Sequence, residues 1–152
     1  MKNIVIVLIA FSIASCQKSS MKTDTVTVGA YKFELIQNGQ GAFLRTTSDK
    51  VEEDKKLKLR PPCYFLREDG KLQTYAYEDV GVENVIIIIG DILDDTKKRA
   101  YDVNSDQVCG GKIQGLVLKN QEVLISEKTI SGALSCKDNG LDEKDFWDFA
   151  HE

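Results

Sequence analysis

Few side chains in this 152-residue sequence are of the types that carry out acid–base or nucleophilic catalysis. The only histidine is His151, the penultimate residue, and chain ends commonly fray. A Ser-His-Asp or Cys-His site would have to include it. Neither a phosphate-binding loop nor a dinucleotide fingerprint occurs in the sequence. The catalytic arrangement that stays open is a pair of carboxylates, which can come from anywhere in the fold.

One stretch has the spacing of the first part of a calcium loop. Asp102, Asn104 and Asp106 stand at alternate positions, as oxygen ligands do there. Gln107 stands where such a loop needs glycine, and Ile113 where it needs a bidentate glutamate. We therefore interpret the stretch as a polar turn between strands.

A second group of acids is interpreted as the capped start of a helix. Its members are Asp138, Asp142, Glu143 and Asp145. The sequence predicts no metal site and no cofactor.

Cys16 ends an apolar segment at the start of the chain. Lys2 precedes this segment, residues 4–13 are mostly apolar, and two small residues come before the cysteine, as in a secretory signal peptide. The segment is far shorter than the ~20 residues of a membrane-spanning helix. The sequence "IASC" at 13–16 resembles the lipobox of bacterial lipoproteins. This resemblance implies that residues 1–15 are removed and that Cys16 is lipidated, with palmitate among its acyl chains.

The lipid on Cys16 would attach the protein to a membrane. Two or three acyl chains, at ~0.8 kcal/mol for each buried methylene, make such attachment effectively permanent. In the lipoproteins that the lipobox resembles, Asp after the cysteine favours the inner membrane, so Gln17 implies the outer membrane, facing the periplasm. Residues 16–23 are interpreted as the lipidated cysteine with a polar, flexible tether, whose ends lie about 15 Å apart by random-coil scaling.

The charge of the exported part restricts the partners. Without Lys2, 19 basic side chains face 24 acidic ones, a net charge of −5. A negative surface disfavours nucleic acid and disfavours a second, electrostatic contact with the membrane. It favours a basic protein of the periplasm or a basic secreted protein as the partner.

The three remaining cysteines predict one disulfide. Cys63, Cys109 and Cys136 would lie in an oxidising compartment, and three thiols allow three single bridges. Cys109 and Cys136 both stand beside turn-like sequence, whereas Cys63 lies within the apolar "CYFL". We predict the bridge Cys109–Cys136 and a buried thiol at Cys63. No Cys-x-x-Cys occurs, which excludes thiol oxidoreductases and zinc ribbons that depend on that motif.

The elements that would position these residues are mostly strands, because hydrophobicity along residues 24–152 alternates with a period of two. Hairpins are predicted around "NGQG" at 38–41, around Asp69-Gly70 and around residues 119–121. The β-branched run at 82–90 predicts a central strand covered on both faces. The charged run at 48–60 is interpreted as a solvated loop or a short helix.

The C-terminal "LDEKDFWDFAHE" begins with acids and carries aromatic residues, which predicts a short helix packed on the sheet. We therefore expect a mainly β (α+β) fold: an antiparallel sheet, as a small sandwich, a curved sheet or a partly closed barrel, with that helix at its end. Residues 24–152 are too few for a second domain and form a single one.

Two classes of function are compatible with these features. The first is a non-enzymatic protein-binding module, similar in size and anchor to the lipidated β-rich inhibitors of lysozyme and to immunity lipoproteins. The lysozyme inhibitors usually carry Ser-Gly-x-x-Tyr, whereas here Ser131-Gly132 is followed by Ser135. Tyr75 and Tyr77, which share a strand face, are candidates for partner contact or for core packing. The second class is an envelope enzyme with carboxylate-based hydrolysis, or an envelope assembly factor.

Overall fold

The computed structural model describes residues 20–152. The signal peptide, the lipobox and Cys16 lie outside the described residues, so their assignment stays a prediction. No helix within 20–152 combines the length and the apolar character that crossing a bilayer requires.

Eleven strands and two α-helices make up the described part. In chain order the elements are β1 (Met21–Val28), β2 (Tyr31–Asn38), β3 (Gly41–Thr47), β4 (Glu52–Lys56), β5 (Tyr64–Phe65), β6 (Arg67–Glu68), β7 (Lys71–Leu72), β8 (Thr74–Tyr77), a 3₁₀ turn (Glu78–Val80), β9 (Val82–Ile92), α1 (Asp95–Ala100), β10 (Cys109–Lys119), β11 (Glu122–Cys136) and α2 (Glu143–Ala150). All strand pairs are antiparallel. The expected mainly β fold with a C-terminal helix is confirmed.

The strands form two larger sheets and one small hairpin. Sheet I has the order β1-β2-β3-β4. Sheet II has the order β11-β10-β9-β5, and β8 also pairs with β9. The remaining pair, β6–β7, is the hairpin predicted at Asp69-Gly70, and both turn residues have positive φ, as that turn chemistry requires. The sheets do not close into a barrel.

Two hydrophobic cores lie on the two faces of sheet II. One core fills the space between the sheets and the other lies between sheet II and α2. The inter-sheet core includes Phe33, Leu35, Leu44, Phe65, Ile86, Ile88 and Leu116. The helix-side core includes Tyr77, Ile87, Ile89, Ile113, Val117, Phe146 and Phe149. The molecule therefore has three layers, in the order sheet I, sheet II and α2.

The central position of β9 explains its sequence. Successive side chains of a strand point to opposite faces, so Ile86 and Ile88 enter the inter-sheet core while Ile87 and Ile89 enter the helix-side core. All four are fully buried. The prediction of a central strand covered on both faces is confirmed.

The C-terminal helix α2 begins at an acidic cap. The side chain of Asp142, the N-cap, accepts a hydrogen bond from the Lys144 amide at 2.9 Å. Phe146 and Phe149 are buried against sheet II. A Cβ atom at Gly115 of β10 would lie only 2.5 Å from Phe149, so glycine permits this close approach.

Two local expectations are wrong. The charged run at 48–60 contains the edge strand β4 instead of a loop or helix alone; dense charge suits an edge strand because it discourages pairing with other chains. Residues 21–23, expected in the tether, belong to β1, where Met21 faces Gln37 in β2. Met21 and Lys22 pair with β2, whereas Thr23 lies at a shift in the β1–β2 register and its hydroxyl donates to the Cys63 carbonyl at 2.8 Å.

Candidate functional site

The domain has two distinct ends along its strands. Met21, where β1 begins, pairs with Gln37 at one end, and Val28 pairs with Tyr31 at the other. A strand of eight residues spans about 24 Å at ~3.4 Å per residue. The chain therefore enters the domain at one end, and the structures described next lie at the opposite end.

A groove opens at this opposite end, between the edges of the two sheets. It has a volume of about 460 Å³, and we call it the end groove. The turns β1–β2, β3–β4 and β10–β11 and the start of β9 form its walls. Its apolar lining consists of Val28, Ala30, Tyr31, Val51 and Leu118. Val51 is 41 % exposed, so the groove presents apolar surface that solvent reaches.

The β10–β11 turn is held to sheet I and to β9 by hydrogen bonds. The Tyr31 hydroxyl donates to the Gln121 carbonyl at 2.7 Å. The Gln121 amide donates to the Glu83 carboxylate at 3.0 Å. Asn120 and Gln121 have positive φ values of 52° and 62°, which match a two-residue hairpin turn. These bonds fix the width of the end groove.

A second cavity, of about 290 Å³, continues along the side of the sandwich between β4 and β11. We call it the side cleft. It shares Tyr31, Val51 and Gln121 with the end groove. The exposed side chain of Leu124 forms part of its wall, and Thr46 lies in its lining. The two cavities together form one continuous depression at the edge of the molecule.

Acidic side chains outnumber basic ones in this depression. The acids are Asp49, Glu53, Glu83 and Glu122, and the bases are Lys50 and Lys55. Lys55 forms an ion pair with Glu53 at 2.9 Å. Asp49 and Glu122 form no ion pair within residues 20–152. An apolar floor with an acidic rim can bind an apolar group that is flanked by positive charge.

The residues of this depression were not predicted from the sequence. They come from four segments that are far apart in the chain, so no local motif marks them. The one local signal was Val51, an apolar residue among charged ones. A fully solvated loop gives no reason for an apolar side chain at that position.

The predicted disulfide is present, between Cys109 and Cys136. The two residues pair directly across β10 and β11, so the bridge joins the ends of the β10–β11 hairpin. Cys63 is buried, as predicted. Burial, and secondly the Asp91 carboxylate, raise the pKa of the Cys63 thiol to about 12. The thiol stays protonated at neutral pH and is a weak nucleophile.

Tyr75 and Tyr77 both face α2. Tyr77 is buried in the helix-side core, and its hydroxyl donates to the Glu143 carbonyl at 3.3 Å. Tyr75 is half-buried and contacts Phe146 edge-to-face at 4.8 Å between ring centroids. Partner contact and core packing were the two roles considered for these tyrosines. In the structure, both tyrosines pack against the helix-side core.

His151 lies in a docked position, contrary to the expectation of a fraying end. Its Nδ1 lies 2.9 Å from the Trp147 carbonyl and its Nε2 lies 3.1 Å from the Asp79 carboxylate. The carbonyl first, and the carboxylate second, raise the pKa of His151. Both neighbours are hydrogen-bond acceptors, which favours the imidazolium form. In that form neither ring nitrogen can accept a proton.

The other acidic patterns have structural roles. Asp142 caps α2, as interpreted from the sequence. The stretch of Asp102, Asn104 and Asp106 forms turns between α1 and β10. Within residues 20–152, no group of three or more His, Cys, Asp or Glu side chains is arranged to hold a metal ion. No protein-family model, curated protein or solved structure matches this chain.

Proposed function

We propose that this protein is a lipid-anchored, non-enzymatic binding module of the bacterial envelope, which binds a basic protein through the end groove. Inhibition of an envelope-directed enzyme, or immunity to a toxin, is the task such a module would perform. The observation that carries the proposal is the end groove itself, an apolar depression with an acidic rim at the end of the domain opposite Met21.

The position of the groove supports this function. A lipid on Cys16 would hold the entry end of β1 towards the outer membrane, and the end groove would then open into the periplasm. With β1 perpendicular to the bilayer, the groove would lie about 24 Å further from it than Met21 does, by the length of β1. A partner could reach it without contacting the membrane.

The state of His151 also supports a binding role. The single histidine of the chain has oxygen acceptors at both ring nitrogens and does not reach a nucleophile through them. A binding module needs a rigid surface with complementary charge and no proton-transfer group.

The anchor is tested by Cys16→Ser. Serine cannot form the thioether that attaches the diacylglycerol, so we expect loss of palmitate incorporation and loss of normal signal cleavage. Metabolic labelling with palmitate and fractionation of the envelope measure both. Continued labelling of the variant would contradict the lipobox assignment.

The groove is tested by reversing one rim charge. Asp49 is exposed in the β3–β4 turn, so Asp49→Lys changes charge with little effect on the fold. Cells lacking the gene are challenged with lysozyme or with competing bacteria and are complemented with wild type or variant. We expect Asp49→Lys to weaken binding of the partner about tenfold, a loss of about 1.4 kcal/mol, and therefore to lower survival relative to wild type.

Asp106→Lys is the matched control, because it makes the same charge change in an exposed turn outside the groove. We expect it to restore survival like wild type. An equal loss for both variants would indicate an effect of net charge alone. Unchanged survival on deletion in both challenges, with hydrolase activity in the purified domain, would favour the envelope enzyme.

A further inference from the structure

We propose that the side cleft binds an extended basic segment of the partner, which adds to the outer edge of β11 as an antiparallel strand. This inference rests on the proposed function and specifies its binding mode.

A lysine side chain bridges the two walls of the side cleft. Lys55 belongs to β4 in sheet I, and its ammonium reaches the Val123 carbonyl of β11 in sheet II at 3.0 Å. A lysine side chain therefore spans the opening between the sheets, which pack about 10 Å apart. A strand that pairs with β11 would lie about 4.8 Å from it, at the opening that the Lys55 side chain now crosses.

The two walls of the cleft run in the same direction. Lys55 reaches Val123, and further along the chain Lys58 reaches the Glu127 carbonyl at 2.9 Å. Residue numbers thus increase in the same sense along β4 and its continuation and along β11. A guest strand that runs the other way would be antiparallel to both walls, which is the better-paired arrangement.

The outer edge of β11 offers backbone groups to such a strand. The two-residue turn at 120–121 makes Lys119 and Glu122 a hydrogen-bonded pair, and such pairs alternate along an antiparallel ladder. Val123 and Ile125 therefore direct their amide and carbonyl groups away from β10. The Val123 carbonyl accepts from Lys55 instead of from a strand.

The lining of the cleft includes an unsatisfied polar group. Thr46 is 1 % exposed, and its hydroxyl has no hydrogen-bond partner within residues 20–152. A buried hydroxyl without a partner costs free energy, and a polar group of a guest segment would relieve that cost. Thr46 lines the cleft together with Glu122 and Val123.

Charge selects a basic segment. Glu122 has no ion pair within the described chain, and Lys55 is already paired with Glu53 at 2.9 Å. When the guest displaces the Lys55 ammonium from Val123, that ion pair can persist. Glu122 and Leu124 share one face of β11, because alternate residues of a strand point the same way. An alternating guest would therefore place its basic side chains on that face, with their charges near Glu122, and its apolar side chains on the opposite face beside Val123 and Ile125, which pack against the inter-sheet core.

The probe is a peptide of about eight residues in which lysine and valine alternate, and fluorescence anisotropy measures its Kd for the mature protein. We expect binding that weakens at least tenfold when glutamate replaces lysine in the peptide. We also expect at least a tenfold loss when alternate backbone nitrogens of the peptide are methylated, because these nitrogens then lack donors.

Two protein variants change the β11 edge in opposite directions. Val123→Pro removes an outward amide that β10 does not use, and should weaken peptide binding at least tenfold, while Val123→Ala keeps the amide and should change it less than threefold. Lys55→Met releases the Val123 carbonyl and should tighten binding at least threefold. Lys56→Met makes the same charge change outside the cleft and should have a smaller effect.

Circular dichroism checks the fold of each variant, and the methylated peptide tests the same bond on wild-type protein if Val123→Pro does not fold. Binding that is insensitive to both peptide methylation and Val123→Pro would overturn strand addition, as would the absence of any peptide binding. A dimer of the protein by sedimentation, abolished by Val123→Pro, would identify a second copy as the occupant instead.

These outcomes are separable from the proposed function. If Val123→Pro protects cells like wild type while Asp49→Lys does not, the binding function stands and strand addition fails. If neither the deletion nor any variant affects survival, the proposed function itself fails.

Discussion

At the scale of single residues, His151 couples the last turn of α2 to the 3₁₀ turn before β9. Its ring stacks on Trp147, with 4.1 Å between ring centroids, and meets Tyr77 edge-on at 5.7 Å. The side chain of His151 is 18 % exposed. Glu152 extends the same docking, since its carboxylate accepts from the Lys128 amide at 3.0 Å and also bonds the Ser126 hydroxyl. These contacts fix the C-terminus to β11 and to the 3₁₀ turn before β9.

The protonation of His151 can be followed through Trp147, the only tryptophan. A stacked imidazolium quenches indole fluorescence more strongly than neutral imidazole does. Because the pKa of His151 is raised, the docked imidazolium is fully present below the ordinary value of about 6.5 and is lost as pH rises through the folded pKa. We expect Trp147 emission to increase with a midpoint above about 6.5.

Two variants serve as controls for this fluorescence titration. Asp79→Asn removes the anionic acceptor and should move the midpoint to lower pH, while the Trp147 carbonyl remains. His151→Gln should abolish the transition. A midpoint at or below the ordinary value in wild type would contradict the docked arrangement.

At the scale of elements, a largely buried ion pair connects β1 to strands outside sheet I. Arg67 donates to both oxygens of Asp24, at 2.7 and 2.8 Å, and the carboxylate also accepts from the Phe65 and Thr25 amides. Burial raises the pKa of Asp24, but these hydrogen bonds from Arg67 and the two amides together bring it below its usual range. The pair joins sheet I to β5 and β6.

We expect Asp24→Asn to lower the free energy of unfolding by about 3 kcal/mol, because it leaves the Arg67 charge largely buried without its partner. The two side chains are only 11 % and 16 % exposed. Urea denaturation measures the loss. Since the folded pKa of Asp24 is depressed, its contribution is present above about 3.9 and disappears as pH falls through the folded pKa.

Asp54→Asn provides the matched control. Arg45 also donates to both oxygens of Asp54, at 2.7 Å each, but on the exposed edge of sheet I. Removal of this pair should cost about 0.5 kcal/mol. Equal losses for the two variants would show that burial does not distinguish them.

Elements whose pattern was local were predictable from the sequence. The continuous run of β9, the two-residue turn at Asp69-Gly70 and the acidic start of α2 each depend on neighbouring residues, and each was placed correctly. β4 was not predicted because its strand character comes from pairing with β3 and not from its own charged side chains. α1 is only six residues long and was not predicted from the sequence.

At the scale of the whole molecule, the candidate site could not be read from the sequence. The end groove needs the β1–β2, β3–β4 and β10–β11 turns to meet, and their meeting depends on how the two sheets stack. The disulfide was predictable since only three cysteines remained once Cys16 was assigned to lipid, and turn-like sequence surrounds two of them. The His151 contact with Asp79 joins residues 72 positions apart and carries no local signal.

The course of β1 has a mechanical consequence. The described chain enters β1 at Met21, and the end groove lies at the far end of the same strand. A tensile force between the N-terminus and a partner bound at the end groove would act along the axis of β1, perpendicular to the β1–β2 hydrogen bonds. The force would then act on all of these hydrogen bonds at once, in shear, and would not break them one after another. The Asp24–Arg67 ion pair would bear part of the same force. In the proposed function, this arrangement would resist unfolding when force acts between the anchor and the bound partner.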